Sequence, residues 1–127
     1  MIPVYQTKFG PPDAPLEERG NCFAACLCSL LHVPLDTVTG ADILRVDLWW
    51  PAICAFAAQH NYDLLRLQPE WEWALGPQTH YIASGKSPRG NYLHSVVKRG
   101  GELAHDPHPD GGGIGDLADI IVLVWRS

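Results

Sequence analysis

No apolar run in the 127-residue chain approaches the roughly 20 residues that a membrane-spanning helix requires. The opening Met1-Ile2-Pro3-Val4-Tyr5-Gln6 lacks the basic stretch and apolar stretch of a secretion signal. The expected location is therefore cytoplasmic. Basic residues are scarce: 9 Lys and Arg stand against 14 Asp and Glu, a net charge of −5. The longest basic pair is Lys98-Arg99. Without a basic patch or stripe, nucleic acid is not the expected partner. An anionic membrane surface is disfavoured on the same ground. Cysteine is limited to four positions, and Cys22, Cys26 and Cys28 crowd into seven residues while Cys54 sits apart. That is a poor disulfide framework and suits reduced thiols. No pair of CxxC motifs is present, so a structural zinc site has little support. No internal repeat or low-complexity tract interrupts the chain.

What is present fits one domain spanning residues 1–127, and its 46% hydrophobic content is enough for an enclosed core. Residues 1–21 read as loop, broken by Gly10-Pro11-Pro12 and Pro15, with a short extended piece from Pro3 to Thr7. Cys22 to Leu31 is almost wholly apolar and follows Asn21, a favoured N-cap residue; Pro34 closes the segment. A helix apolar on every side belongs at a domain centre. A second helix is expected from Leu48 to about His60, capped by Asp47. The period then falls to two. Strands are expected at Tyr62–Leu67, His80–Ser84, Tyr92–Lys98, Glu102–His105 and Ile120–Trp125. Helices followed by closely spaced strands define an α+β domain with an antiparallel sheet packed on helices.

Three residues combine position with chemistry. Cys22 opens the buried helix, where unpaired amides and the helix dipole favour an anion and are expected to lower the thiol pKa. His94 lies in the third expected strand. Asp106 ends the fourth, across a turn at Arg99-Gly100-Gly101. A hairpin centred on Gly100 sets His94 opposite Asp106, close enough for a carboxylate to orient an imidazole. Cys26, Cys28 and Cys54 read as core thiols. His105 and His108 flank Asp106, yet strand alternation turns His105 away from it, which argues against a metal site. The Gly111-Gly112-Gly113 run lacks the Lys-Ser/Thr of a phosphate-binding loop. It reads as a flexible loop beside the site. Trp49-Trp50 and Trp71/Trp73 read as core and core edge, with Trp71 and Trp73 also candidates to line a substrate groove.

Gly20-Asn21-Cys22-Phe23-Ala24-Ala25-Cys26, then His94-Ser95-Val96-Val97 and His105-Asp106-Pro107, resembles the papain-like cysteine peptidase superfamily. It is most similar to compact bacterial and phage members of the C39 peptidase and NlpC/P60 kind. The Ser87-Pro88-Arg89-Gly90 loop resembles one found in small standalone bacterial and phage proteins with a Gly-Asn-Cys motif. The resemblance spans about residues 4–108. It implies a papain-like fold and a cysteine hydrolase, peptidase or amidase, acting on a peptide or protein substrate through an acyl-enzyme and without a cofactor. Cys22 would be the nucleophile, His94 the base and then acid, and Asp106 the orienter. The family's oxyanion-hole Gln maps onto Gln6, at a longer spacing than usual, with Asn21 as the alternative donor. The competing reading is a noncatalytic binding module, such as a phage or bacterial interaction protein, that has kept the fold.

Overall fold

A computed structural model describes residues 1–38 and 49–127. Among these residues two α-helices are formed, α1 (Cys22–Leu31) and α2 (Trp49–Gln59), followed by five strands. The strands are β1 (Tyr62–Leu67), β2 (His80–Lys86), β3 (Leu93–Arg99), β4 (Glu102–His105) and β5 (Leu117–Trp125). They build one antiparallel sheet in the order β1-β5-β2-β3-β4. The protein is thus α+β, as the change of period implied. The expected Asp47 cap and Leu48 lie outside the described residues.

Strand alternation gives the sheet two apolar faces. Ile82, Val97 and Ile121 are register neighbours and pack with Cys26, Leu27, Cys28, Ile53 and Phe56 of the helices. On the other face Tyr81, Ala83, Val96 and Ile120 are covered by Leu75, Ile114 and Leu117. Between these elements, Pro69–Ala74 forms a 3-10 helix whose Glu72 accepts hydrogen bonds from Tyr81 Oη at 2.7 Å and Lys98 Nζ at 2.6 Å. With Glu72 facing the sheet, the neighbouring Trp71 and Trp73 face solvent, and Trp73 is 79% exposed. Their expected place at the core edge is therefore corrected.

The first 21 residues form no regular strand, but they are anchored. Ser29, fully buried in α1, accepts from the Val4 N–H at 2.9 Å and donates to the Ala25 carbonyl at 2.8 Å. The Ile2 N–H donates to the Ser29 carbonyl, and the Gln6 N–H donates to the Pro107 carbonyl. The amino-terminal segment is thereby tied to both the central helix and the turn after β4. All four cysteines are free thiols.

Replacing Ser29 with Ala leaves the Val4 amide without its partner. Loss of one such hydrogen bond costs about 1–3 kcal/mol. Urea unfolding of Ser29→Ala should show a lower midpoint at unchanged slope. A midpoint equal to that of the parent protein would show that the anchor adds nothing to stability.

Candidate active site

One cavity of about 260 Å³ is lined by Cys22, His94 and Gln6 together. Three separate stretches of chain supply them: the start of α1, the start of β3 and the amino-terminal segment. His94 is 3% exposed and Asp106 7% exposed, and His94 Nε2 lies 2.7 Å from Asp106 Oδ1. The carboxylate is held on both oxygens. Its Oδ1 also accepts from the His108 N–H at 2.9 Å, and its Oδ2 accepts from the Gly113 N–H at 2.8 Å. Gly113 has φ of +72°, a left-handed conformation that glycine reaches without strain. The glycine run thus helps to bind Asp106 rather than serving only as a rim loop.

The register that makes this pair differs from the symmetric hairpin. Arg99 pairs with Glu102 and Lys98 with Leu103, but Val97 pairs with His105, so Ala104 is an extra residue. Continued without that bulge, the ladder would set Asp106 across from Ser95, on the face opposite His94. The bulge shifts the count by one and brings Asp106 to the His94 side, diagonal to it rather than directly opposite. His105 is turned to the helix-bearing face, where its Nε2 lies 2.7 Å from the Val4 carbonyl. Among the described residues no group of three His, Cys, Asp or Glu is arranged to hold a metal.

Cys22 is half-buried at the first turn of α1 and sits against Ser95, the residue after His94. Ser95 is in turn 2.8 Å from Ser84 through their hydroxyls. Burial pushes the Cys22 thiol up. Hydrogen bonds from Ser95, and from the amides of Phe23 and Cys22, pull it back only in part. The expectation of a lowered thiol pKa is corrected: desolvation outweighs the helix terminus. Burial also lowers His94, against the opposing pull of Asp106, with the charges of Arg89 and His108 adding to the lowering. Both shifts favour the uncharged forms. Thiol and imidazole share one cavity, and among the described residues no hydrogen bond joins Sγ to the ring.

Gln6 is buried, and its Nε2 donates to the Lys8 carbonyl at 3.0 Å. A primary amide carries two N–H donors, so one is left for a ligand. Its Oε1 is buried without a partner. Asn21 is committed elsewhere. Its Oδ1 accepts from the Thr7 and Lys8 amides, both at 3.0 Å, and its Nδ2 donates to Thr7 Oγ1 at 3.0 Å. Asn21 occupies the N-cap position, but its side chain makes no capping bond. It is therefore no side-chain cap, and its Nδ2, like that of Gln6, keeps one N–H beyond the bond it makes, at the wall of the same cavity. Asn21 holds residues 7 and 8 against the start of α1, which keeps Gln6 at the wall of the cavity that Cys22 lines.

Trp71 and Trp73 do not line this cavity; Trp49 does, with Phe9, Phe23 and Tyr92. The groove assignment to Trp71 and Trp73 is corrected accordingly. Ser95 and Trp49 are site residues that sequence reasoning passed over. Ser95 had a usable signal, because it neighbours His94 and faces the helix side. No family model matches the chain, and neither a curated protein nor a solved structure does.

The pKa directions set a pH signature. A raised thiol pKa makes the thiolate appear only above the ordinary thiol range, and a lowered imidazole pKa leaves the ring uncharged at neutrality. Iodoacetamide modification of Cys22, followed by mass mapping, should accelerate steadily from pH 6 to pH 9. A flat rate across that interval would reveal a preformed thiolate and contradict the burial argument.

Proposed function

We propose that the protein is a papain-like cysteine hydrolase that cleaves an amide or peptide bond in a peptide or protein substrate. The observation that supports this reading is the single cavity shared by Cys22, a carboxylate-held His94 and a buried Gln6 with an amide proton to spare. Asp106 accepts from His94 Nε2–H, which leaves Nδ1 as the basic ring nitrogen. As substrate binds, the Cys22 proton passes to Nδ1 and Sγ bonds to the carbonyl carbon. The oxyanion is met by the Cys22 N–H and the Gln6 amide. The imidazolium then protonates the leaving amine as the C–N bond breaks. Water, deprotonated by the same nitrogen, opens the thioester and restores the thiol.

A neutral, half-buried thiol also favours the second reading, a binding module that keeps the fold without turnover. Relative labelling separates the two. A hydrolase requires Cys22 to alkylate faster at neutral pH than Cys54, the other cysteine that is not fully buried. A binding module does not.

Paired measurements of turnover and iodoacetamide rate test the roles, with substrate found by screening peptides, isopeptides and simple amides. Cys22→Ala should abolish turnover and keep the fold. His94→Ala should depress both turnover and alkylation. Asp106→Asn should lower kcat by up to about 10⁴ through loss of the correct tautomer. Gln6→Ala should lower kcat by about 10²–10³ and leave alkylation nearly unchanged. Turnover of Gln6→Ala at the parent rate would remove Gln6 from the oxyanion hole, and faster labelling of Cys54 than Cys22 would remove the hydrolase reading.

A further inference from the structure

The wall of the cavity carries a charge pattern that the hydrolysis chemistry does not use. Phe9, Phe23, Trp49 and Tyr92 make its apolar part, and Arg19 and Arg89 also line it. Among the described lining residues there is no carboxylate. In a chain of net charge −5, a lining with two cations and no described anion is a local reversal.

Arg89 is held in place rather than loosely displayed. It belongs to the Ser87-Pro88-Arg89-Gly90 loop between β2 and β3. The Arg89 N–H donates to Ser87 Oγ at 3.1 Å, and the Ser87 N–H donates to the Tyr92 carbonyl at 2.9 Å. Its Nη1 donates to both Asp110 oxygens at 3.0 Å, and Asp110 Oδ1 accepts from the Gly112 N–H at 2.8 Å. Asp110 thus engages one nitrogen of the guanidinium. The remaining donors of the planar fork suit a carboxylate. Arg19 Nε donates to the Ala14 carbonyl at 2.8 Å, which fixes its stem, and among the described residues its terminal nitrogens make no hydrogen bond. The charge of Arg89 also acts on His94. It is therefore within electrostatic reach of the reacting group.

We propose that the substrate is a carboxylate-bearing peptide, its apolar side chain against the aromatic wall and its anionic group on Arg89 and Arg19. This rests on the hydrolase reading of the same cavity. Arg89 is then a specificity-determining residue that positions the scissile bond, and Asp110 orients it. The carboxylate can belong to the free end of a peptide or to an acidic side chain, and the test separates these.

The test needs no known substrate. Iodoacetate and iodoacetamide alkylate the same thiol and differ in charge. Their rate ratio at Cys22, at pH 8 and low salt, is compared with the ratio for a neutral cysteine peptide. The protein should favour iodoacetate by about two- to fivefold more than the peptide does, as expected for a partly exposed ion pair. The preference should shrink at 0.5 M salt. Arg89→Gln and Arg19→Gln should each reduce it, the ratio of the two reagents cancelling any change in the intrinsic reactivity of the thiol. Arg89→Lys should restore part of it, which separates loss of charge from a disturbed loop. A ratio equal to that of the peptide, or one unchanged in Arg89→Gln, would overturn the proposal. In a second arm, N-acetylated Phe-Gly, its C-terminal amide, and N-acetylated Phe-Glu amide compete with iodoacetamide. Better protection by either anionic peptide supports the proposal and identifies the source of the carboxylate. Equal protection by the neutral amide overturns it. If Cys22 does not outpace Cys54 even with iodoacetamide, the hydrolase reading has failed, whatever the charge ratio.

Discussion

The site depends on one buried carboxylate. Asp106 is 7% exposed, and a charge so placed is tolerated only when its oxygens are occupied. The His94 ring and the amides of His108 and Gly113 occupy them. Each of those donors has a separate structural requirement. The ring needs the bulge at Ala104, which puts Asp106 on its side of the sheet. The His108 amide needs the chain to turn at once after Asp106. The Gly113 amide needs a left-handed residue. A substitution at Ala104 or Gly113 would therefore act on the His94 ring without touching it.

A second set of bonds brings the surroundings of Cys22 together. Ser29, Asn21 and the Pro107 carbonyl each hold part of residues 2–8, through the bonds at Val4, at Thr7 and Lys8, and at Gln6. The segment is a strap between α1 and the Asp106 turn. It makes almost no regular structure of its own, so its order comes from Ser29 of α1, Asn21 just before the helix and the Pro107 carbonyl. This explains how Gln6 reaches the cavity that Cys22 lines across a long Pro-rich loop. The chain between them bulges outward, and the two ends are drawn together by Asn21.

Much of the architecture was legible, and the exceptions have physical causes. The bounds of β1 and β4 follow from alternation and turn residues, and observed and expected ends coincide. β5 begins three residues earlier than its apolar run, because Leu117 to Asp119 pair with β2 through backbone bonds that no apolar pattern announces. Sheet order and the bulge are properties of pairing between strands and leave no mark on one strand. Asn21 was misread because its sequence position fits a cap, whereas three competing partners in residues 7 and 8 claim its side chain. Trp71 and Trp73 were misread because aromatic residues imply burial. A 3-10 helix that turns Glu72 inward to meet Tyr81 and Lys98 leaves its neighbours outside. The His94–Asp106 pairing was legible, although the register that produces it was not.

The electrostatics of the cavity run against the idea that a thiol at a helix start is activated in advance. Burial raises Cys22 and lowers His94, and both shifts favour the uncharged pair. Transfer of the proton from sulfur to nitrogen is then uphill in the empty site, and something that arrives with the substrate must help it. The arriving carbonyl supplies one part, since charge that leaves sulfur develops on an oxygen facing amide donors. The inferred carboxylate supplies another. The positive charge of Arg89 is one of the forces that hold the imidazole unprotonated. An anion bound to Arg89 offsets that charge, so it raises the proton affinity of His94 when the ligand is in place. In the proposed hydrolase, recognition and activation would then meet at the same guanidinium.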